Sequence, residues 1–271
     1  MKEELVTIKT FDGFDLKAAI LLPEKTNKIA VMCHGITCNK EEYLGMFNIL
    51  AKKLSEYNIG SLRFDFRGHG ESSGVDLDFD VVSQLIDLKS VMHWIKTIKG
   101  FLNASLSFVG ASFGGAPGII AQNKFKYFDS ISLFAPVLSY YETFVHPTTK
   151  WGIENFNSKA WEESKKNGHL LLDGNFKIST RLLEEFLLID PLETIKNITI
   201  PIQIFHGTKD DYVPCKIAET LANQYPHFSI NIVPDMGHGL YIDGDDDGNT
   251  KDSKQIQDNY FELTRQFVHE A

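Results

Sequence analysis

The chain has 271 residues, 43% of them hydrophobic, and sets 36 Asp and Glu against 27 Lys and Arg for a formal net charge of −9. That is enough apolar material for one substantial core, and one large α/β domain is expected rather than two. The acidic balance excludes nucleic acid and anionic membrane surfaces as expected partners, and the three cysteines, Cys33, Cys38 and Cys215, fit neither a disulfide framework nor a zinc spacing.

Met1-Lys2-Glu3-Glu4 carries no apolar leader and no stretch approaches membrane-spanning length, so a soluble cytoplasmic chain is expected. Residues 5–10 and 14–22, joined at Asp12-Gly13, read as an opening antiparallel hairpin. Residues 28–33 make a third strand. Phe47, Leu50, Leu54 and Tyr57 then recur at helical spacing. Residues 60–66 form another strand, and Val81, Val82, Leu85, Ile86, Met92 and Ile95 mark a long amphipathic helix. Strands at 106–109, 129–135, 201–205 and 228–233 complete the set, and a helix from about 253 closes the chain. Such repeated βα units imply a mostly parallel eight-stranded sheet with helices on both faces.

The pattern breaks between residues 139 and 190. This segment is too long for an ordinary connection and carries Tyr140, Tyr141, Phe144, Trp151, Phe156, Trp161, Phe176 and Phe186. Long excursions in compact domains are commonly lids. We expect a core made of residues 1–138 and 191–271, with 139–190 an inserted cap.

The segment Gly110-Ala111-Ser112-Phe113-Gly114 follows an apolar strand and opens a helix. The two glycines leave room for a sharp turn that presents the serine hydroxyl above the sheet, the requirement of a nucleophile elbow. Two further groups follow in order. His206-Gly207-Thr208-Lys209-Asp210 ends a strand in a carboxylate-bearing turn, and Asp235-Met236-Gly237-His238 places a histidine before the last helix. A serine hydroxyl is a poor nucleophile until an imidazole takes its proton, and the imidazole needs a carboxylate to fix its tautomer. Ser112, Asp210 and His238 are therefore the expected nucleophile, acid and base. The oxyanion that forms on attack needs two donors. The N–H of Phe113 is one candidate, and the N–H of Ile36, in the loop His34-Gly35-Ile36-Thr37, is the other. His34 itself is expected to shape that loop.

On these residues the chain resembles α/β-hydrolases of the serine esterase type. Within them, His34-Gly35-Ile36-Thr37, the run Arg63-Phe64-Asp65-Phe66-Arg67-Gly68-His69-Gly70, and His206-Gly207-Thr208-Lys209-Asp210 look most like bacterial cinnamoyl (feruloyl) esterases. The resemblance covers nearly the whole chain. It implies cleavage of small neutral carboxylic esters through an acyl-enzyme, structural roles for Asp65, Arg67 and His69, a substrate-binding cap at 139–190, and no cofactor. Monoacylglycerol lipase, thioesterase and small peptidase activities share the same machinery and stay open. A pure binding scaffold is disfavoured by the intact set of three residues.

Two departures stand out. Those esterases usually carry histidine before the serine and glutamine after it, where this chain has Ala111 and Phe113. The run Asp243-Gly244-Asp245-Asp246-Asp247-Gly248 imitates the start of an EF-hand loop, but Lys254 stands where a bidentate glutamate is needed. A solvated acidic loop without a metal is the expectation.

Overall fold

A computed structural model describes residues 2–225, 228–242, 244–245 and 247–271. Strands β1 (Glu4–Lys9) and β2 (Asp15–Leu21) pair antiparallel, with Leu5 opposite Ala19 and Ile8 opposite Leu16. β3 (Lys28–Cys33), α1 (Met46–Ser55), β4 (Gly60–Phe64), α2 (Val81–His93), β5 (Ser105–Ala111), α3 (Gly115–Phe125) and β6 (Ser130–Phe134) then alternate. An excursion follows, with α4 (Lys150–Asn155), α5 (Ser158–Asn167), the hairpin β7 (His169–Leu172) and β8 (Phe176–Ser179), and α6 (Thr180–Leu188). α7 (Pro191–Ile195), β9 (Ile202–Gly207), α8 (Lys216–Gln224), β10 (Ser229–Val233) and α9 (Lys251–Glu270) return the chain to the sheet.

The large sheet has eight strands in the order β1-β2-β4-β3-β5-β6-β9-β10, antiparallel at β1–β2 and β2–β4 and parallel from β4 onward. Its inner strands, β3 to β6 and β9, are buried almost throughout because both faces are covered, while the edge strands β1 and β10 stay partly exposed. On one face Ala30, Met32, Val109 and Phe205 meet Phe47, Leu50 and Leu54 of α1 and Phe261 of α9. On the other, Val31, Phe108, Leu133 and Ile204 meet Leu88 and Val91 of α2, Ile119 of α3 and Leu221 of α8. The alternation of side chains along each strand divides the two cores.

Topology sets where a site can lie. From β3 the chain passes through α1 to β4 on one side, and from β5 through α3 to β6 on the other. The loops leaving the C-terminal ends of neighbouring β3 and β5 therefore diverge and leave a crevice between them. His34–Thr37 and Ser112 stand at that crevice.

Tyr57, at helical spacing in the sequence, stands just past α1. Asn58 takes a left-handed φ of 58°, while its N–H reaches Ser55 O and that of Ile59 reaches Leu54 O, closing the helix in a Schellman arrangement. Asp80 caps α2 by accepting the Ser83 N–H at 2.7 Å. No helix among the described residues is long and apolar enough to cross a membrane.

Candidate active site

β5 ends at Ala111, and the chain turns at once through Ser112, whose φ of 50° is a strained left-handed value for a residue with a side chain. The turn presses against the tip of β3. A Cβ at Gly114 would fall 2.2 Å from His34 O and 2.3 Å from Cys33 O, so the backbone approach admits glycine alone. This places the serine at the mouth of the crevice and the N-terminus of α3 beneath it.

The other two residues arrive on loops tied to each other. The Thr208 N–H donates to Val233 O and the Lys209 N–H to Met236 O, both at 3.0 Å. Gly207 lies so close that a Cβ would sit 2.0 Å from Met236 O. Asp210 is thereby held beside His238. His238 Nδ1 is 2.8 Å from Asp210 Oδ2, and His238 Nε2 is 3.0 Å from Ser112 Oγ. The other carboxylate oxygen, Asp210 Oδ1, accepts the N–H groups of Tyr212 at 2.9 Å and Val213 at 2.8 Å. Asp211 is exposed and takes no part.

Burial disfavours charge on Asp210, but the adjacent His238 and His206 outweigh it and hold the carboxyl far below its ordinary value. Burial likewise opposes a charged His238, yet the Asp210 charge and hydrogen bond, with the Glu42 charge behind them, raise its pKa above the ordinary histidine value. The imidazole is thus a stronger base than a free histidine.

Ser112 and His238 open into a cavity of about 280 Å³ whose wall also includes Ile36, Phe113, Phe144, Trp151 and Tyr212. The N–H groups flanking Ile36 are occupied: Gly35 donates to Glu42 Oε2 at 2.7 Å and Thr37 to His69 Nε2 at 3.3 Å. Ile36, between them, lines the cavity. Phe113 supplies the next N–H after Ser112 at the start of the helical turn, where backbone donors are unpaired. Its side chain is fully buried and stacks on Tyr140, with Phe144 and Phe186 of the excursion packed around it. Of the eight aromatics between 139 and 190, Phe144 and Trp151 reach the cavity wall.

His34, Asp65, Arg67 and His69 stand outside the cavity wall and hold neighbouring backbone and side chains in place. His34 is buried, donates from Nδ1 to Gly35 O and accepts the Phe66 N–H at Nε2, and burial keeps it neutral. Asp65 holds the Lys40 ammonium and the N–H groups of Lys40 and Glu71. Arg67 bridges Asp12 and Asp87. Cys38 also lines the cavity, but burial and then the Glu42 charge raise its pKa well above an ordinary thiol, so it offers no competing thiolate.

Three contributors were not singled out from sequence. Glu42 shapes the loop after β3 with two backbone N–H bonds, Tyr212 stacks on His238 at 5.1 Å, and His206 approaches Asp210. Glu42 adopts a φ of 60°, and no spacing announces it. In the acidic run, Asp243 and Asp246 lie outside the described residues. Asp245 accepts the N–H groups of Asn249 and Thr250 and the Thr250 hydroxyl, which also caps α9. Among the described residues no group of three or more His, Cys, Asp or Glu is placed to hold a metal.

A family model described as serine aminopeptidase, S33, matches residues 24–182. Among solved structures the chain is similar to Est1E of Butyrivibrio proteoclasticus with ferulic acid bound, at 20% identity and a TM-score of 0.73, covering 95% of this chain and 98% of that one. It is also similar to the Pyrococcus furiosus esterase Pf2001, at 18% identity and a TM-score of 0.69 over 98% of this chain and 91% of that one. A curated relative, the uncharacterized protein YqkD of Bacillus subtilis strain 168, is 24% identical over 237 residues, 82% of this chain and 68% of its own. The structural likeness establishes the α/β-hydrolase fold.

Proposed function

The chain belongs to the serine aminopeptidase, S33, family of α/β-hydrolases, and we propose that it is a serine esterase cleaving small neutral carboxylic esters. The observation that carries this reading is the continuous contact from Ser112 Oγ through His238 to Asp210, at 3.0 and 2.8 Å, opening on a cavity. In this reading Ser112 Oγ attacks the ester carbonyl carbon as His238 Nε2 takes its proton. The Ile36 and Phe113 N–H groups hold the developing oxyanion. Collapse expels the alcohol, which receives the proton from His238, and leaves an acyl group on Ser112. Water then enters by the same route, giving a proton to His238, and the acid is released as Ser112 regains its own.

Residues 139–190 act as the cap. Phe144 and Trp151 come from this segment and share the cavity wall with Ser112, which supports a pocket that selects by shape. A cavity of about 280 Å³ favours short-chain or aromatic acyl groups over long ones. Est1E, of the same fold, binds ferulic acid, which makes a cinnamoyl ester a fitting candidate here. An aminopeptidase would hold a substrate ammonium with a free carboxylate. Of the two carboxylates among the described wall residues, Glu42 is engaged at both oxygens by the N–H groups of Gly35 and Tyr43, whereas Asp173 meets Trp151 and Asn155 through Oδ1 alone, so an aminoacyl substrate belongs in the test.

A panel of p-nitrophenyl esters of rising acyl length, methyl ferulate, a monoacylglycerol and an aminoacyl p-nitroanilide tests the reading. Highest kcat/KM on the short or aromatic esters is expected. Highest kcat/KM on the anilide or on the monoacylglycerol would contradict it.

A further inference from the structure

Asp210 has a second imidazole beside it. His206, near the end of β9, is 1% exposed, and its Nε2 lies 3.1 Å from Asp210 Oδ2, the same oxygen that meets His238 Nδ1. The same Nε2 is 3.2 Å from the carbonyl oxygen of Val213. Two oxygen acceptors facing one ring nitrogen require that nitrogen to carry a hydrogen, because a bare lone pair there would be repelled by both. The other ring nitrogen, Nδ1, is buried and has no hydrogen-bond partner among the described residues. A hydrogen on it would be an orphaned buried donor, so Nδ1 is bare and the ring is neutral.

We propose that His206 is a positioning residue for the Ser112 relay, its Nε2–H holding Asp210 Oδ2 while His238 occupies the same oxygen. The proposal rests on the reading of Ser112 as the nucleophile. With two backbone N–H groups on Oδ1 and two imidazoles on Oδ2, the carboxylate cannot turn away from His238. Sharing Oδ2 also makes it a weaker acceptor for His238, which tempers the basicity of that imidazole. The groups facing this pair are Glu42 from the loop after β3, Ser112 from the elbow, Tyr212 from the loop after β9 and Cys215 at the start of α8.

Nitrogen-15 NMR of the wild-type imidazoles reads the tautomer without any variant. His206 should appear as the Nε2–H tautomer. His206→Met removes the donor at similar volume. Its kcat/KM profile on p-nitrophenyl acetate should show the acid limb moved up by roughly half a pH unit or more, with kcat down about tenfold. His206→Gln can return an N–H to Oδ2 and should keep the limb near that of wild type. An Nδ1–H tautomer, or Met and Gln variants whose limbs stay put or move alike, would overturn the proposal. Fluorophosphonate separates the two readings. Wild type unlabelled at Ser112 defeats the esterase reading, whereas labelling at Ser112 with an unmoved limb defeats the His206 assignment alone.

Discussion

Ser112, Asp210 and His238 show how a chemical requirement becomes legible at single positions. Each stands just past the end of a strand, and their order along the chain is the order the fold uses. Asp210 was readable as the acid from the turn that ends its strand, and the structure puts Asp210, not Asp211, against His238. Asp210→Asn should therefore lower kcat by a factor on the order of 10³–10⁴, while Asp211→Asn stays within a few-fold. Steady-state kinetics on p-nitrophenyl acetate decide this, and the reverse ranking would contradict the assignment. Because the base must be neutral and Asp210 raises the His238 pKa, kcat/KM should fall on acidification with an apparent pKa above the ordinary histidine value. Asp210→Asn removes the charge, so any residual activity should lose its acid limb at lower pH. A limb below the ordinary value in the wild type would contradict that account. Glu42, Tyr212 and His206 were not legible as contributors. Glu42 and Tyr212 act through approaches between loops that leave no pattern along the chain, and the His206–Asp210 run does not show that the His206 ring turns back onto Asp210.

The inner strands of the large sheet were readable because strands covered on both faces are apolar runs bounded by turns, and the part-exposed edge strands β1 and β10 from their β-rich runs beside turn residues. The interior of residues 139–190 was not. Its helices are short, and its hairpin β7–β8 is only four residues a side, too little for a period to declare itself. What did register was its aromatic content, of which Tyr140, Phe144 and Phe186 join Phe113 in one cluster. Trp151 donates to Asp173 at 2.9 Å and packs on Tyr212 at 5.3 Å. Trp151→Ala should widen the pocket and shrink the preference for short over longer acyl groups by about tenfold, since each misplaced methylene is worth about 1–3 kcal/mol. An unchanged ranking across p-nitrophenyl esters would show that the segment does not select substrate. At the other end of the chain, Asp245 is engaged with Asn249 and Thr250 ahead of α9. EDTA should accordingly leave activity and Tm unchanged. A rise in Tm with millimolar calcium that Asp245→Ala abolishes would contradict this.

Across the whole molecule, the opening hairpin and the sheet's helical cover are joined through Arg67, which is buried and shared between Asp12 at the hairpin turn and Asp87 inside α2. Burial raises the Asp87 pKa, and the Arg67 guanidinium opposes that rise. Arg67→Met should cost about 3–5 kcal/mol by leaving Asp87 buried and unpaired, a fall in Tm of roughly 10 °C for a chain of this size. Adding Asp87→Asn should recover part of the loss, and a double variant no more stable than the single one would contradict the pairing. Stability and chemistry meet at the crevice between β3 and β5, where the strained Ser112 is held by a backbone approach that Gly114 alone permits. The most direct measurement is fluorophosphonate labelling with peptide mapping of wild type and Ser112→Ala, alongside hydrolysis of p-nitrophenyl acetate. The account predicts one adduct, on Ser112, and a loss of kcat on the order of 10³-fold or more in the variant. An adduct on another residue, or a Ser112→Ala variant with wild-type activity, would contradict it.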